Sequence, residues 1–585
     1  MKARSVNVKP SLGAVLGAEA IGVAAFAILP TYRFGWWPAA AITVAAVVLL
    51  VVTVHRRNAA AWVLDRSRWM RDRRHTTAVG AAVDISHGGD VYGVRTADNE
   101  AVTMIEVDGR PYSPSYLRGS TLVLTDNLLP LDVVIGLMEQ PGGLHLGVDI
   151  ATAGYRVRPG TGYPQLYNTL LADRGAAGQR TTHLIVRLDI NESVRGLMYR
   201  RSIGSAAAAA TERLVKALEQ QGCRARVLNA EEQDTMLEEL SIGLASAPAR
   251  PAVVDEGDDD GADLTTPRGS EGVAEPQLLG VGSRPGGTAG AVRAAPPARP
   301  KADVRWKTIN AKPGYVTSYY FSPEDITTES FHQMWSLRSD HIVHVMMLRK
   351  LPGGPVQVSA LVRTNDPRPP EQAPTLFLNT LPGSQYRAAL RAAPATQPAL
   401  HLPARLLHGA DELQVPVGPT GILVGAALRD DKSGWPPIQR DDLVMWPLTD
   451  PAQPTRIVMN TSDFYVRQLL IRAAAAGERI AIYSREPRRW YSVSQTNIAV
   501  VEARRPAEFV PTMIINDRAT IAPQAGLSST VITVGHSPTD AMVPDLSFEQ
   551  TSQSTVRITT ATRTVDVSMV VFRQEQTWTG DAVGA

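Results

Sequence analysis

Two apolar runs at the start of the chain dominate its hydrophobic pattern. Ser11–Pro30 and Pro38–Val54 are each close to the ~20 residues that an α-helix needs to cross a bilayer. The short turn between them, TYRFGWW (Thr31–Trp37), carries aromatic rings of the kind that lie at lipid headgroups. The pattern predicts a transmembrane hairpin within residues 1–55. A cleavable signal peptide is disfavoured, because a second full-length apolar run follows at once.

The distribution of basic residues predicts how this hairpin is oriented. Three basic residues precede the first run, one lies in the turn, and seven arginines follow in His55–Arg74. Since positive residues are retained on the cytosolic side of a membrane, both termini and the soluble lobes should be cytosolic. We therefore predict a two-pass protein of the inner (cytoplasmic) cell membrane.

The first run contains residues that suit helix packing. Gly13 and Gly17 form a GxxxG pair, and Gly22 continues the small-residue spacing that lets two helices approach closely. Glu19 lies near the middle of the run, where an ionisable group is costly. It predicts either a buried polar contact to a partner helix, which we favour, or a proton or substrate path.

A basic and aromatic segment, residues 56–75, follows the second run. Trp62, Arg66, Trp69 and Arg73 recur at helical spacing, which predicts an amphipathic helix lying on acidic headgroups. The alternative is that these charges only retain the segment in the cytosol. The predicted membrane-surface residues are Trp62, Arg66, Arg68, Trp69, Arg71, Arg73 and Arg74.

From residue 76 onward the pattern is that of a soluble α/β protein. In a first lobe, residues 76–245, apolar runs and alternation predict strands at Asp90–Arg95, Ala101–Val107, Leu144–Ile150, His183–Asp189 and Arg224–Leu228. Helices are predicted at Pro130–Glu139, Ser205–Gln221 and Glu231–Leu240.

Ser246–Asp303 interrupts this pattern. It is rich in Pro, Gly, Ala and Ser and has an acidic cluster at Asp255–Asp260, so we predict a disordered linker whose charges are solvated rather than metal-binding.

A second lobe, residues 304–585, resumes the α/β pattern. Its predicted hairpins are His341–Leu348 with Val356–Arg363 and Gly421–Leu428 with Asp442–Leu448. Asp463–Ala476 is predicted as a helix followed by the strand Arg479–Ser484, and the tail is predicted to be mostly strand.

Composition excludes some classes of protein. The 585 residues exceed what one soluble core usually holds, and a net charge of +2 argues against a dedicated nucleic-acid binder. Cys223 is the only cysteine, so an internal disulfide is impossible. It precedes a predicted buried strand and fits a core residue better than a nucleophile.

The motifs of common enzymes are missing from the sequence. It has no GxxxxGK[ST] phosphate loop, no HExxH metal motif and no GxSxG elbow. Asp430/Asp431 and Asp441/Asp442 are acidic pairs near strand ends and could hold a metal-bound nucleotide sugar, but both also suit turns. We predict no catalytic residue, no cofactor and no metal site.

The order of these features resembles EccE, a membrane component of the type VII (ESX) secretion systems of mycobacteria and related actinobacteria. The resemblance rests on the following segments: WVLDRSRWMRDRR (Trp62–Arg74), Gly93–Arg95 with Val102–Asp108, Leu129–Val134, Gly147–Arg156, Ala210–Leu228 and Leu469–Trp490. It covers most of the chain outside the linker.

The resemblance implies a non-enzymatic structural subunit of a secretion membrane complex. The partners it implies are EccB, the EccC ATPase, EccD and the membrane-anchored mycosin protease. It also implies a mixed-sheet, glycosyltransferase-like α/β cytosolic region. A membrane-tethered glycosyltransferase-like enzyme is the alternative, and a signalling or scaffold protein with the same anchor is a third possibility.

Overall fold

The computed structural model describes residues 6–8, 12–29, 36–54, 57–73, 77–97, 99–159, 163–246, 302–351, 353–395, 400–433, 437–502, 507–517, 530–535 and 543–580. The predicted linker lies outside the described residues except at its two ends, and so does Arg74.

The helices in the described residues are α1 Leu12–Ile28, α2 Trp36–Val51, α3 Ala59–Asp72, α4 Leu131–Gly136, α5 Pro164–Leu171, α6 Val194–Leu197, α7 Ile203–Gln220, α8 Ala230–Ser241, α9 Thr328–Met334, α10 Gln385–Arg391, α11 Asp463–Ala475 and α12 Gln576–Thr579. The helices predicted from residue 130 onward lie close to their predicted bounds, whereas α5, α6, α9, α10 and α12 were not predicted. A capping box at Ser202 begins α7, and Gly222, at φ 80°, follows its end. Helix α4 is shorter than predicted, because Glu139–Gln140 pair as a strand instead.

The strands that precede residues 247–301 are β1 Val6–Val8, β2 Val52–Val54, β3 Arg57–Asn58, β4 Thr77–Ala78, β5 Val83–His87, β6 Asp90–Ala97, β7 Glu100–Asp108, β8 Ser115–Arg118, β9 Leu122–Thr125, β10 Glu139–Gln140, β11 Leu144–Tyr155, β12 Gln179–Asp189, β13 Arg224–Val227 and β14 Ala245–Ser246. The strands that follow are β15 Asp303–Val304, β16 Ile309–Ala311, β17 Gly314–Phe321, β18 His341–Lys350, β19 Val356–Asp366, β20 Leu378–Thr380, β21 Arg405–Leu407, β22 Ile422–Ala427, β23 Leu443–Trp446, β24 Thr455–Asn460, β25 Ile480–Ser484, β26 Ile498–Val501, β27 Met513–Asp517, β28 Thr530–Val534, β29 Leu546–Gln550, β30 Thr555–Thr560 and β31 Thr564–Ser568.

The two apolar runs form helices that are shorter than the predicted spans. Helix α1 has 17 residues and α2 has 16. The predicted second span is wrong at its end, because β-branched Val52–Val54 leave the helix and pair antiparallel with Val6–Val8. Among the residues that the structure describes, no helix is both long and apolar enough to cross a membrane.

The first large sheet is antiparallel along its main path. In the described residues that path runs β15-β16-β17-β19-β18-β11-β12-β7-β6-β5. Strand β11 is central, because β12 pairs with it on one side and β18 on the other. Alanine-rich α7 packs on this sheet through the buried Ala206–Ala210.

The second large sheet is mixed. Its strand order in the described residues is β26-β25-β27-β28-β24-β29-β30-β31-β22-β23-β8-β9. The strands from β26 to β29 are parallel and those from β29 to β9 antiparallel. Helix α11 connects β24 to β25, as expected of a parallel crossover. The prediction of a mixed α/β protein is confirmed, while the likeness to glycosyltransferases stays a prediction.

Both sheets combine strands from the two sides of residues 247–301. In the first sheet Val148 of β11 pairs with Leu348 of β18. In the second sheet the early hairpin β8–β9 joins the late strand β23 through the pair Leu117 and Leu443. The strands before and after residues 247–301 therefore do not form two separate sheets, because each large sheet contains strands from both parts of the chain.

A buried ion cluster strengthens the pairing between β11, β12 and β18. Asp149 of β11 is fully buried and lies 2.7 Å from Arg187 Nε of β12 and 2.8 Å from Arg349 Nη1 of β18. Burial alone would raise the pKa of Asp149, but the positive charges of Arg349 and Arg187 lower it to about 2. Since removing one member of such a cluster leaves a buried charge uncompensated, the three strands depend on one another.

Candidate functional site

The contact between α1 and α2 is built from small residues. Their buried positions, among the side chains described, are Ala18, Gly22 and Ala25 in α1 and Ala39 and Ala46 in α2. These positions are three or four residues apart in α1 and seven apart in α2, so they lie on one face of each helix. A Cβ atom at Gly22 would lie only 3.0 Å from Thr43 Cγ2, so Gly22 is where the helices approach most tightly among the helix glycines. We call this contact the small-residue seam.

The predicted packing residues are placed unequally around this seam. Gly22 lies in it, and a Cβ at Gly17 would contact Leu50 Cδ1 at 3.6 Å. A Cβ at Gly13 would meet nothing within 4 Å. Glu19 is exposed and lies outside the seam, so its side chain is available to another molecule.

The outer faces of α1 and α2 are apolar and exposed. The large exposed side chains are Val15, Leu16, Ile21, Val23, Phe26, Ile28, Trp36, Trp37, Ile42, Val44, Val47, Val48 and Leu49. Contiguous apolar surface of this kind marks contact with a membrane or with another protein. It is the most extensive such surface in the predicted site.

Helix α3 packs on the body of the protein through tryptophans. Trp62 stacks on Trp306 with ring centroids 5.9 Å apart, and Trp69 meets the same ring edge-on at 5.6 Å. Trp69 is only 8% exposed. The predicted headgroup contact is therefore wrong for Trp69, because its ring is taken up by the internal contact with Trp306.

Four arginines in and just after α3 are exposed, and two of them lie over a tryptophan ring. Arg66 and Arg73 lie over the Trp69 ring at 4.4 and 4.6 Å, where a guanidinium is attracted to the aromatic face. Arg68 and Arg71 are exposed, and Arg68 is 3.8 Å from Asp65. Both remain candidates for contact with acidic headgroups.

Trp306 is a residue of the site that sequence reasoning missed. It follows the predicted linker and lies far along the chain from α3, so no local periodicity connects the two. With Trp62, Tyr319 and Tyr320 it lines a cavity of about 290 Å³ beside α3. The ion pair between Asp72 and Arg387, 2.9 Å apart, fixes the other end of α3.

Three of the four carboxylates that suggested an enzyme accept internal hydrogen bonds, and the fourth, Asp441, is 83% exposed. Asp442 is buried and receives two hydrogen bonds from Arg118, at 2.8 and 2.6 Å. Asp430 accepts a hydrogen bond from the backbone N–H of Arg440, and Asp431 one from that of Ser433. Among the described residues, no three His, Cys, Asp or Glu side chains are grouped so as to hold a metal ion.

Cys223 lies where a core residue is expected. Its side chain is buried, and its Sγ is 3.6 Å from the carbonyl oxygen of Leu128. Burial raises the pKa of the thiol, which keeps it protonated and poorly nucleophilic at neutral pH.

Comparison with known proteins identifies relatives. Residues 176–263 match the model of the EccE family, which is described as a type VII ESX secretion system translocon. The ESX-2 secretion system protein EccE2 of Mycobacterium tuberculosis (strain CDC 1551 / Oshkosh) is 26% identical over 512 residues, which are 83% of this chain and 81% of that protein.

Two further relatives are ESX-5 secretion system proteins named EccE5. The one from M. tuberculosis (strain ATCC 25618 / H37Rv) is 29% identical over 412 residues, 66% of this chain and 87% of that protein. The one from Mycobacterium marinum (strain ATCC BAA-535 / M) is 28% identical over 413 residues, with the same coverage. The resemblance seen in the sequence is thus confirmed: over most of its length, the chain is similar to EccE proteins of ESX secretion systems.

Proposed function

We propose that this protein is a non-enzymatic structural subunit of a type VII (ESX) secretion membrane complex. The observation that carries the proposal is its similarity, over most of its length, to proteins named as ESX secretion system components. The structural roles of Asp430, Asp431 and Asp442 support a subunit without catalysis.

We propose further that α1 and α2 anchor the protein in the cytoplasmic membrane as a two-pass hairpin, with both termini and the sheets in the cytosol. A helix of 17 residues is about 26 Å long, slightly shorter than a typical hydrocarbon core of about 30 Å. The exposed apolar faces of both helices support this placement. The arginines that follow α2 support the cytosolic side.

Within the complex, the outer face of the hairpin is the proposed docking surface. The seam already occupies the inner faces, so Glu19 and the exposed apolar side chains are left for neighbouring subunits or lipid. Exposed Arg68 and Arg71 would hold α3 at acidic headgroups. The proposed neighbours are EccB, the EccC ATPase, EccD and the mycosin protease.

Native electrophoresis of solubilised membranes tests the proposal. Membranes from the source bacterium, carrying the full chain with a C-terminal affinity tag, are extracted in mild detergent and separated. We expect the tagged chain to migrate in one large band together with a membrane ATPase, identified by mass spectrometry. Migration of the chain by itself in every detergent that preserves the ATPase complex would refute the proposal.

A further inference from the structure

A second cavity lies in the curved part of the second sheet, away from α1–α3. It has a volume of about 290 Å³ and lies between β8–β9, the start of β31 and three residues of the β22–β23 connection, Asp431, Ser433 and Ile438. In a flat sheet β31 and β9 would be about 19 Å apart, since four strand spacings of about 4.8 Å separate them. Arg563 Nη2 nevertheless lies 2.5 Å from Asp126 Oδ2, so the sheet curves around the cavity.

The charges that line this cavity are unbalanced. Two carboxylates, Asp126 and Asp431, are present with one guanidinium, that of Arg563. Asp126 is paired with Arg563, whereas Asp431 has no ion pair within the described part of the chain. Hydrogen bonds from Ser433 and the charge of Arg563 keep the pKa of Asp431 below its usual range. The described residues that line the cavity therefore carry a net charge of −1 at neutral pH.

Tyr116 supplies a second, independent feature. Its side chain is more than nine-tenths buried and lines the cavity. No residue within the described ranges makes a hydrogen bond to its hydroxyl, so the hydroxyl is available to a group bound in the cavity. Val123, Ile438 and Val565 provide apolar walls beside it.

We propose that this cavity binds a cationic ammonium or guanidinium group on an apolar stem. Asp431 would pair with the cation, the Tyr116 hydroxyl would accept a hydrogen bond from it, and the apolar walls would cover the stem. An arginine or lysine side chain of a partner polypeptide and a free small amine share this chemistry. The site is separate from the proposed docking surface on the hairpin and does not depend on it.

Calorimetric titration of the full chain in detergent tests the proposal with three probes. N-acetyl-arginine amide represents a polypeptide side chain, agmatine represents a free amine, and N-acetyl-citrulline amide is an uncharged analogue of the first. We expect the cationic probes to bind and the citrulline derivative not to bind. Tighter binding of the arginine derivative assigns the site to a polypeptide, and tighter binding of agmatine to a free amine. Equal binding of the citrulline derivative, or no binding by either cation, would overturn the proposal.

Substitutions distinguish the effect of the cavity's charges on binding from an effect of misfolding. Asp431→Asn should weaken binding of the cationic probes about tenfold or more, the usual effect of losing a charge-assisted hydrogen bond. Arg563→Gln should tighten binding, because it removes the cation that competes for both carboxylates, and misfolding would not produce such a gain. Asp441→Asn is the matched control, since that side chain is 83% exposed and does not line the cavity. Unchanged affinity in both test variants would contradict the proposal.

Discussion

At the scale of single residues, burial determines the charge of several histidines in the first sheet and the helix beside it, among them His344, His332 and His183. His344 of β18 lies among aromatic rings, with the Phe331 ring 4.4 Å away. Burial and the nearby charge of Arg180 lower its pKa to about 3. Burial is also the main reason why the pKa values of His332 and His183 are lowered to about 4. All three are therefore neutral in the folded protein at physiological pH.

Stability should consequently fall as the pH is lowered from about 6.5 towards 4. In that window the unfolded chain, whose histidines titrate near 6.5, binds protons that the folded chain does not, and above it these groups have no effect. The maximum loss is about 1.4 kcal/mol per pH unit for each histidine. The thermal midpoint of the full chain in detergent, measured between pH 7.5 and 5, should decrease.

Two variants test whether a buried histidine causes this decrease in the thermal midpoint. His344→Phe keeps a ring among the neighbouring aromatic side chains and should reduce the dependence on pH. The same change at exposed His401 should leave the pH dependence of the thermal midpoint as in the wild type. A His344→Phe protein with the full wild-type dependence would show that His344 is not responsible.

At the scale of elements, the small-residue seam makes a prediction that distinguishes two glycines in the same helix. Gly22→Leu should push α1 and α2 apart, because even a Cβ there comes within 3.0 Å of Thr43, and overpacking of this kind costs about 1–3 kcal/mol. Gly13→Leu should be tolerated, since nothing lies within 4 Å.

Oxidative cross-linking measures the separation of the two helices. Gly17→Cys and Leu50→Cys, in a Cys223→Ala background, place two thiols at positions that are neighbours across the seam. We expect Gly22→Leu to reduce the cross-linked fraction several-fold and Gly13→Leu to leave it unchanged. Equal cross-linking in both would mean that the helices do not pack through Gly22.

The sequence predicted the bounds of individual helices and strands better than the contacts between distant ones. The Ser205–Gln221 and Asp463–Ala476 helices and the His341–Leu348 hairpin strand were predicted close to their observed bounds, because capping residues, glycines and apolar periodicity are local signals. The site was predicted only in part: Gly22 was found through its spacing, but Trp306 was not. The contact of Trp306 with α3 depends on pairing between distant segments, which a local pattern does not encode.

At the scale of the whole molecule, the strand pairing predicts how the protein responds to a cut. A chain cleaved at a protease site introduced within residues 247–301 should stay in one piece under native conditions. The reason is that β11 pairs with β18 over seven residue pairs, and Asp149 is held by arginines from both sides of the cut.

Gel filtration of the cleaved protein, with a tag on the N-terminal fragment, checks this prediction. Both fragments should elute together until denaturant is added, as the uncleaved control does. Separate elution in native buffer would instead support two lobes that fold independently along the chain.

The same strand pairing determines when each strand can meet its partner during synthesis. Strand β11 leaves the ribosome with β12 to pair on one side, but its other edge stays open until β18 has been made. Hairpin β8–β9 cannot pair with its neighbour until β23, a still later strand, has been made. A nascent or truncated chain that ends before residue 302 therefore exposes a long apolar strand edge, which is a template for aggregation. Its safe production therefore requires that translation continue past β18.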